Sequence, residues 1–226
     1  TGVQTLLFRS VPTVTWDQQP RDVAKAIAWV FAHIAAYGGD RSRLHLMGHS
    51  AGCHLAALVT ADPSYLAAEG LSPAALLGTI ALDTQAHDLP LLAEQNGGTL
   101  GSLYVSVFGN DPAVWALASP ALRLSAGAGS APMAIAFSGG TGTDDPERTA
   151  QAETFRQKCV AAGVQAIVVD GRPRTHGEIN AQFGVAGDSV TPTCMDFIEG
   201  TSRFSRLRFQ LDFQPGWGAR PAGGIA

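Results

Sequence analysis

The chain has 226 residues, 46% of them apolar and 15% charged, which is enough apolar material for one sizeable core and too much for a disordered chain. Lys and Arg number 15 against 19 Asp and Glu, a formal charge of −4 with no basic run, so no electrostatic footprint for nucleic acid is offered. The apolar runs, such as residues 74–82, are broken by Gly78 far short of the roughly 20 residues a spanning helix needs, and no membrane span is expected. Three cysteines, Cys53, Cys159 and Cys194, lack the even count of a disulfide framework and the CxxC spacing of a zinc site; they read as reduced thiols of a cytoplasmic protein.

Residues 6–14 are apolar, partly β-branched, and run through Pro12 into the polar stretch 17–20, which predicts a strand leaving through a loop. From Asp22 onward Val23, Ile27, Val30, Phe31 and Ile34 recur at spacings of three and four, one buried helical face, ended by Gly38-Gly39. Strands are predicted at 43–47, 76–82, 134–137 and 164–169, and helices at 51–60, at 146–162 with Pro146 near the first turn, and at 190–199. Strands alternating with helices of this length predict an α/β fold with a parallel sheet covered on both faces.

Between residues 83 and 132 periodicity is weak and Gly, Ser and Pro are frequent, which predicts a surface excursion above the carboxyl edge of the sheet. Phe108 and Trp115 in this segment read first as core packing and second as walls of an aromatic pocket. Beyond Gly200, Leu207, Phe209, Leu211 and Phe213 alternate with Arg206, Arg208, Gln210 and Asp212, the period of a half-buried strand. Residues 1–200 are therefore expected to form the domain. Residues 201–226 are an extension whose strand should dock on the chain itself or pair with a second copy in a homo-oligomer.

Gly48-His49-Ser50-Ala51-Gly52 has the form GxSxG, entered by the alternating Leu44 and Leu46 and left by an Ala-rich helix. Glycines on both sides would let the chain turn sharply and project Ser50 Oγ at a helix N-terminus, where the Ala51 N–H can meet a developing oxyanion. A serine hydroxyl needs a base, and the base an orienting carboxylate. Of six histidines, His33, His45, His49 and His54 fall in regular elements or in the turn itself. His87 and His176 fall in loops, and His176 follows the last predicted strand, at the same sheet edge as Ser50. Asp144 and Asp145 follow the strand 134–137, again at the carboxyl edge where ligands of open α/β sheets bind, while Asp83 and Asp88 follow an earlier strand. Taking Asp144 gives the chain order Ser50, Asp144, His176, with Asp145 as the competing acid. Cys53, three residues past Ser50, reads as a small buried helix residue.

Three stretches carry a family resemblance: residues 37–58 (YGGDRSRLHLMGHSAGCHLAAL), 144–151 (DDPERTAQ) and 176–191 (HGEINAQFGVAGDSVT). Over residues 5–199 the chain resembles the carboxylesterase and arylformamidase branch of the α/β hydrolases, including kynurenine formamidases and esterases related to hormone-sensitive lipase. The resemblance implies an α/β-hydrolase fold, Ser50 as nucleophile, Ala51 as an oxyanion donor, Asp144 (alternatively Asp145) as acid and His176 as base. It implies a small ester or amide substrate, with no metal or organic cofactor. These families also carry an HGG segment ahead of the strand that here begins near Thr5, completing the oxyanion hole, and no such segment occurs among these residues. An N-terminally incomplete fold is therefore expected, with low turnover, since one missing donor costs about 100- to 1,000-fold. Two readings follow: a serine hydrolase acting on carboxylic esters or N-formyl amides through an acyl-enzyme, or a degenerate hydrolase fold that binds a ligand or partner without turnover.

Overall fold

The computed structural model describes residues 11–212, with side chains through residue 202. In chain order the elements are α1 (Gln18–His33), β1 (His45–His49), α2 (Ala51–Ala61), α3 (Ser64–Ala68) and β2 (Gly78–Leu82). Four short helices follow, α4 (Leu89–Gln95), α5 (Ser102–Phe108), α6 (Pro112–Ala118) and α7 (Pro120–Arg123). The chain then runs through β3 (Met133–Phe137), α8 (Pro146–Ala161), β4 (Ala166–Asp170), α9 (His176–Ala181) and α10 (Val190–Asp212). The strands pair in parallel in the order β1-β2-β3-β4, so all four carboxyl ends lie along one edge.

Every residue of β2 and β3 is buried, as a parallel strand covered on both faces requires. The period of two divides them cleanly. Ala81, Met133, Ile135 and Phe137 pack with Cys53 and Ala57 of α2 and Phe155 and Cys159 of α8. Ile80, Leu82, Ala134 and Ala136 point the other way, onto Ile179 of α9 and Val190 and Cys194 of α10. Ala24 and Ile27 seat α1 beside Val59 of α2, on the first of these faces. This is the α/β architecture expected from the alternation of elements.

Three expectations need correction. Of the strand expected at 6–14, residues 6–10 lie outside the described residues, and 11–14 form a turn. The segment 83–132 is an excursion, but it is helical and has its own apolar cluster, including Leu89, Leu92, Leu100, Phe108 and Trp115. The Pro residues that read as loop signals stand in the first turns of helices, each capped by an Asp: Asp88 accepts from Leu91 N and Asp111 from Ala113 N. Finally, α10 continues as helix through Asp212 where a strand was expected over 207–213. Phe204, Leu207 and Leu211 are spaced by three and four, so the residues that alternate also satisfy the helical period, and Arg, Leu and Gln favour the helix. Where the side chains of this last part pack, and Phe213 onward, lies outside the described residues.

Candidate active site

β1 ends at His49 and α2 begins at Ala51, so one residue turns the chain from strand to helix. That residue, Ser50, has φ 58° and ψ −120°, a conformation that costs an L residue on the order of 1–3 kcal/mol. Its N–H is tied to Leu82 O of the neighbouring strand at 3.2 Å. Gly48 makes the turn sterically feasible, because a Cβ there would lie 2.1 Å from Gly52 O. The same need expected at Gly52 is not found: a Cβ there would meet open space. The Ala51 N–H belongs to the first turn of α2, whose donors have no intrahelical acceptor.

His176 Nε2 lies 2.9 Å from Ser50 Oγ, and His176 Nδ1 lies 2.6 Å from Asp83 Oδ2. A carboxylate only accepts, so Nδ1 carries the proton, and Nε2 of the neutral ring is free to accept from the serine hydroxyl. His176 does not stand in a loop. It is the first residue of α9, whose start is fixed by a reciprocal capping box between Thr175 and Glu178.

Asp83 directly follows β2 as Ser50 directly follows β1, and register places the two strand ends side by side, His49 opposite Leu82. Its side chain is fully buried and also accepts from Ser138 N at 3.0 Å, Ser138 Oγ at 2.5 Å and Arg148 Nη1 at 2.9 Å. Burial alone would raise its pKa, but the His176 and Ser138 donors and the Arg148 charge outweigh it and hold the carboxyl at about 2. It is ionised at any neutral pH.

The carboxylate expected beside His176 was Asp144, with Asp145 as the alternative; neither is bonded to it among the described residues. Asp144 is exposed and takes Arg172 Nη1 at 2.7 Å. Asp145 caps α8, accepting from Glu147 N and Arg148 N at 3.1 Å each, and its other oxygen takes Arg148 Nε at 3.1 Å. The Asp-Pro pair that marked this segment is a helix start, and its carboxylate is spent on the cap. Ser138 stands where β3 ends and acts on the site through Asp83. Sequence reasoning missed Asp83, Ser138 and Arg148, although Asp83 carried the signal of an acid one residue past a mainly apolar strand.

His49, Asp83 and His176 each offer a ligand-type atom, all within 4.8 Å of one another, the one such group among the described residues. The Arg148 guanidinium 2.9 Å from Asp83 and the use of both His176 nitrogens oppose a cation there. His54 is buried and bonded to Ala118 O, and burial pushes the Cys53 thiol well above its usual range, consistent with a core position. A cavity of about 480 Å³ opens on Ser50, Ala51 and His176. Its walls are mainly apolar: Trp16, Leu55, Ala86, Leu103, Val107 and Phe108, with Thr84, Gln85, Tyr104 and Arg148 supplying polar groups. Trp115 is core, with Nε1 on Gly109 O at 3.0 Å, whereas Phe108 serves both core and cavity. Among the described residues no helix is long and apolar enough to cross a membrane.

The family model BD-FAE matches residues 3–69, a segment that includes the serine turn. A probable carboxylic ester hydrolase of Mycobacterium tuberculosis, LipM, is 44% identical over 57 residues, covering 25% of this chain and 13% of LipM. A probable isoprenylcysteine alpha-carbonyl methylesterase of Arabidopsis thaliana, ICMEL2, is 27% identical over 195 residues, 82% of this chain and 46% of that protein. Among solved structures, brefeldin A esterase, a bacterial homologue of human hormone-sensitive lipase, superposes with a TM-score of 0.58 at 20% identity, covering 89% of this chain and 58% of that one. The chain has the α/β-hydrolase fold and is similar in sequence to carboxylic ester hydrolases. It spans less than half the length of the two curated esterases just named. In this fold, the serine turn, the end of the neighbouring strand and the start of α9 meet at one point of the sheet's carboxyl edge.

Proposed function

We propose that the chain is a serine hydrolase that cleaves carboxylic esters of small substrates through an acyl-enzyme. The observation that carries this reading is the continuous hydrogen-bonded chain from Ser50 Oγ through His176 to Asp83, at 2.9 and 2.6 Å. Ser50 Oγ attacks the ester carbonyl carbon while His176 Nε2 takes the hydroxyl proton. Asp83 stabilises the resulting imidazolium and holds the ring in the required tautomer. The Ala51 N–H donates to the tetrahedral oxyanion. Collapse expels the alcohol, which takes the proton back from His176, and water attacks the acyl-enzyme by the same route with Nε2 as base.

The mainly apolar cavity suits an ester with a compact hydrocarbon or aromatic part, and a methyl ester, the class that the name of ICMEL2 specifies for that protein, fits such a site. The relatives matched in sequence are named as ester hydrolases, so esters are the first choice and N-formyl amides the second.

A fluorophosphonate probe tests the reading without knowledge of the substrate, because covalent labelling needs an activated serine. Labelling at Ser50, abolished in Ser50→Ala and accompanied by hydrolysis of short p-nitrophenyl esters, is the expected result. A chain that stays unlabelled would be a binding protein on a hydrolase fold. Running an aryl formamide beside the esters decides between the two acyl classes.

A further inference from the structure

The serine turn needs a glycine before it and a serine within it, but nothing in the nucleophile's chemistry demands a histidine at position 49. The structure nevertheless uses that side chain. His49 Nε2 lies 2.9 Å from the backbone carbonyl oxygen of His176, and the two imidazoles are in tilted contact, with centroids 4.6 Å apart and planes at 31°. A carbonyl only accepts, so Nε2 carries the proton. Burial lowers the His49 pKa, so the ring is neutral near neutral pH. On its other side, the His176 N–H donates to Gly140 O at 2.7 Å. The peptide groups before and after the His176 Cα are thus each held from a different strand end, one through the loop after β3 and one through the last residue of β1.

We propose that His49 is a positioning residue for His176: its Nε2–H to the His176 carbonyl ties the nucleophile's turn to the base's helix and so fixes the spacing of Ser50 and His176. The inference rests on the serine-hydrolase reading above. His49 and Ser50 share a peptide unit, so any movement of the turn is transmitted to the base through this bond rather than through the reacting atoms. Without it His176 keeps its helix, its cap and the Gly140 bond but loses the tie to the serine turn, and displacements approaching 1 Å between nucleophile and base cost on the order of 100-fold in rate.

Two variants separate the bond from the ring contact. His49→Gln places an amide Nε2 about as far along the side chain as the imidazole Nε2 and keeps the donor, whereas His49→Phe keeps a ring against His176 and loses the donor. Fluorophosphonate labelling rates and kcat and KM on p-nitrophenyl butyrate are to be measured for wild type, both variants and Ser50→Ala, with thermal melts of each. The expected result is a labelling rate and kcat about 10- to 100-fold lower in His49→Phe, with KM and melting temperature little changed, and recovery of most of that loss in His49→Gln. Wild-type protein that takes no label, or Ser50→Ala that labels normally, overturns the hydrolase reading and this inference with it. Labelled wild type together with His49→Phe within about twofold of it overturns the positioning role alone. Equal losses in both variants, or losses that follow a lowered melting temperature, overturn it as well.

Discussion

Asp83 Oδ2 and His176 Nδ1 stand 2.6 Å apart although one residue directly follows β2 and the other opens α9, with β3 and β4 between them in the chain. The carboxylate reaches the imidazole from beneath, where it is fully buried, rather than from the loop after β3. If this is the orienting acid, Asp83→Asn should lower kcat by about three to four orders of magnitude, because the amide favours the wrong imidazole tautomer. Asp144→Asn, which breaks only an exposed pair with Arg172, should leave kcat unchanged. Asp145→Asn should leave it nearly so, since asparagine also caps helices. Steady-state kinetics on the three variants checks the order, and a collapse confined to Asp144→Asn would move the role there.

The depressed pKa of Asp83 links the site to stability. Its folded value of about 2 lies below its ordinary 3.8, so the folded state binds the proton less tightly than the unfolded chain does. The resulting stabilisation, on the order of 2 kcal/mol, is fully present above pH 4 and is lost as pH falls from about 4 to about 2. Urea unfolding at pH 7, 4 and 2.5 should show that loss in the wild type and a smaller one in Asp83→Asn.

His87 is completely buried, stacked on Phe155 with centroids 4.6 Å apart, and neither ring nitrogen has a hydrogen-bond partner among the described residues. Burial lowers its pKa from 6.5 to about 3, so the neutral ring is favoured in the fold and stability falls as pH drops from 6.5 toward 3. Replacing it by leucine removes a buried unsatisfied donor, a group that costs about 1–3 kcal/mol. His87→Leu should therefore raise the melting temperature at pH 7, and raise it more at pH 5. A less stable variant would mean that the ring has a polar role inside the fold.

The two glycines of the serine turn should respond oppositely. Gly48→Ala forces a Cβ to 2.1 Å from a backbone oxygen of α2 and should cost at least about 2–3 kcal/mol, with loss of esterase activity. Gly52→Ala meets open space on a helical residue and should stabilise α2 by up to about 1 kcal/mol. Paired thermal melts test the contrast.

What was legible in the sequence divides along physical lines. The strands and α1, α2 and α8 could be read because hydrophobic period and glycine punctuation are local, and Ser50 and His176 because each follows such a strand. The acid was misplaced because Asp144 and Asp145 carried a strong local signal, Asp before Pro, whose meaning is a helix cap. Asp83 carried only its place in the sheet, which becomes informative once β2 is known to lie beside β1. Pro90 and Pro112 misled in the same way, since helix starts and loops share residues. The tail misled because Phe204, Leu207 and Leu211 fit a helix as well as 207–213 fit a strand, and period alone does not choose between them.

The strand order has a consequence for how the chain matures. Each described strand pairs with the one made just before it, so the sheet can grow in the direction of synthesis without any strand waiting for a later partner. Ser50 and Asp83 come together when β2 pairs with β1, yet His176 arrives only after β4 has joined and α9 has been capped. A nascent chain on the ribosome therefore carries Ser50 for more than a hundred residues of elongation before the His176 imidazole reaches it.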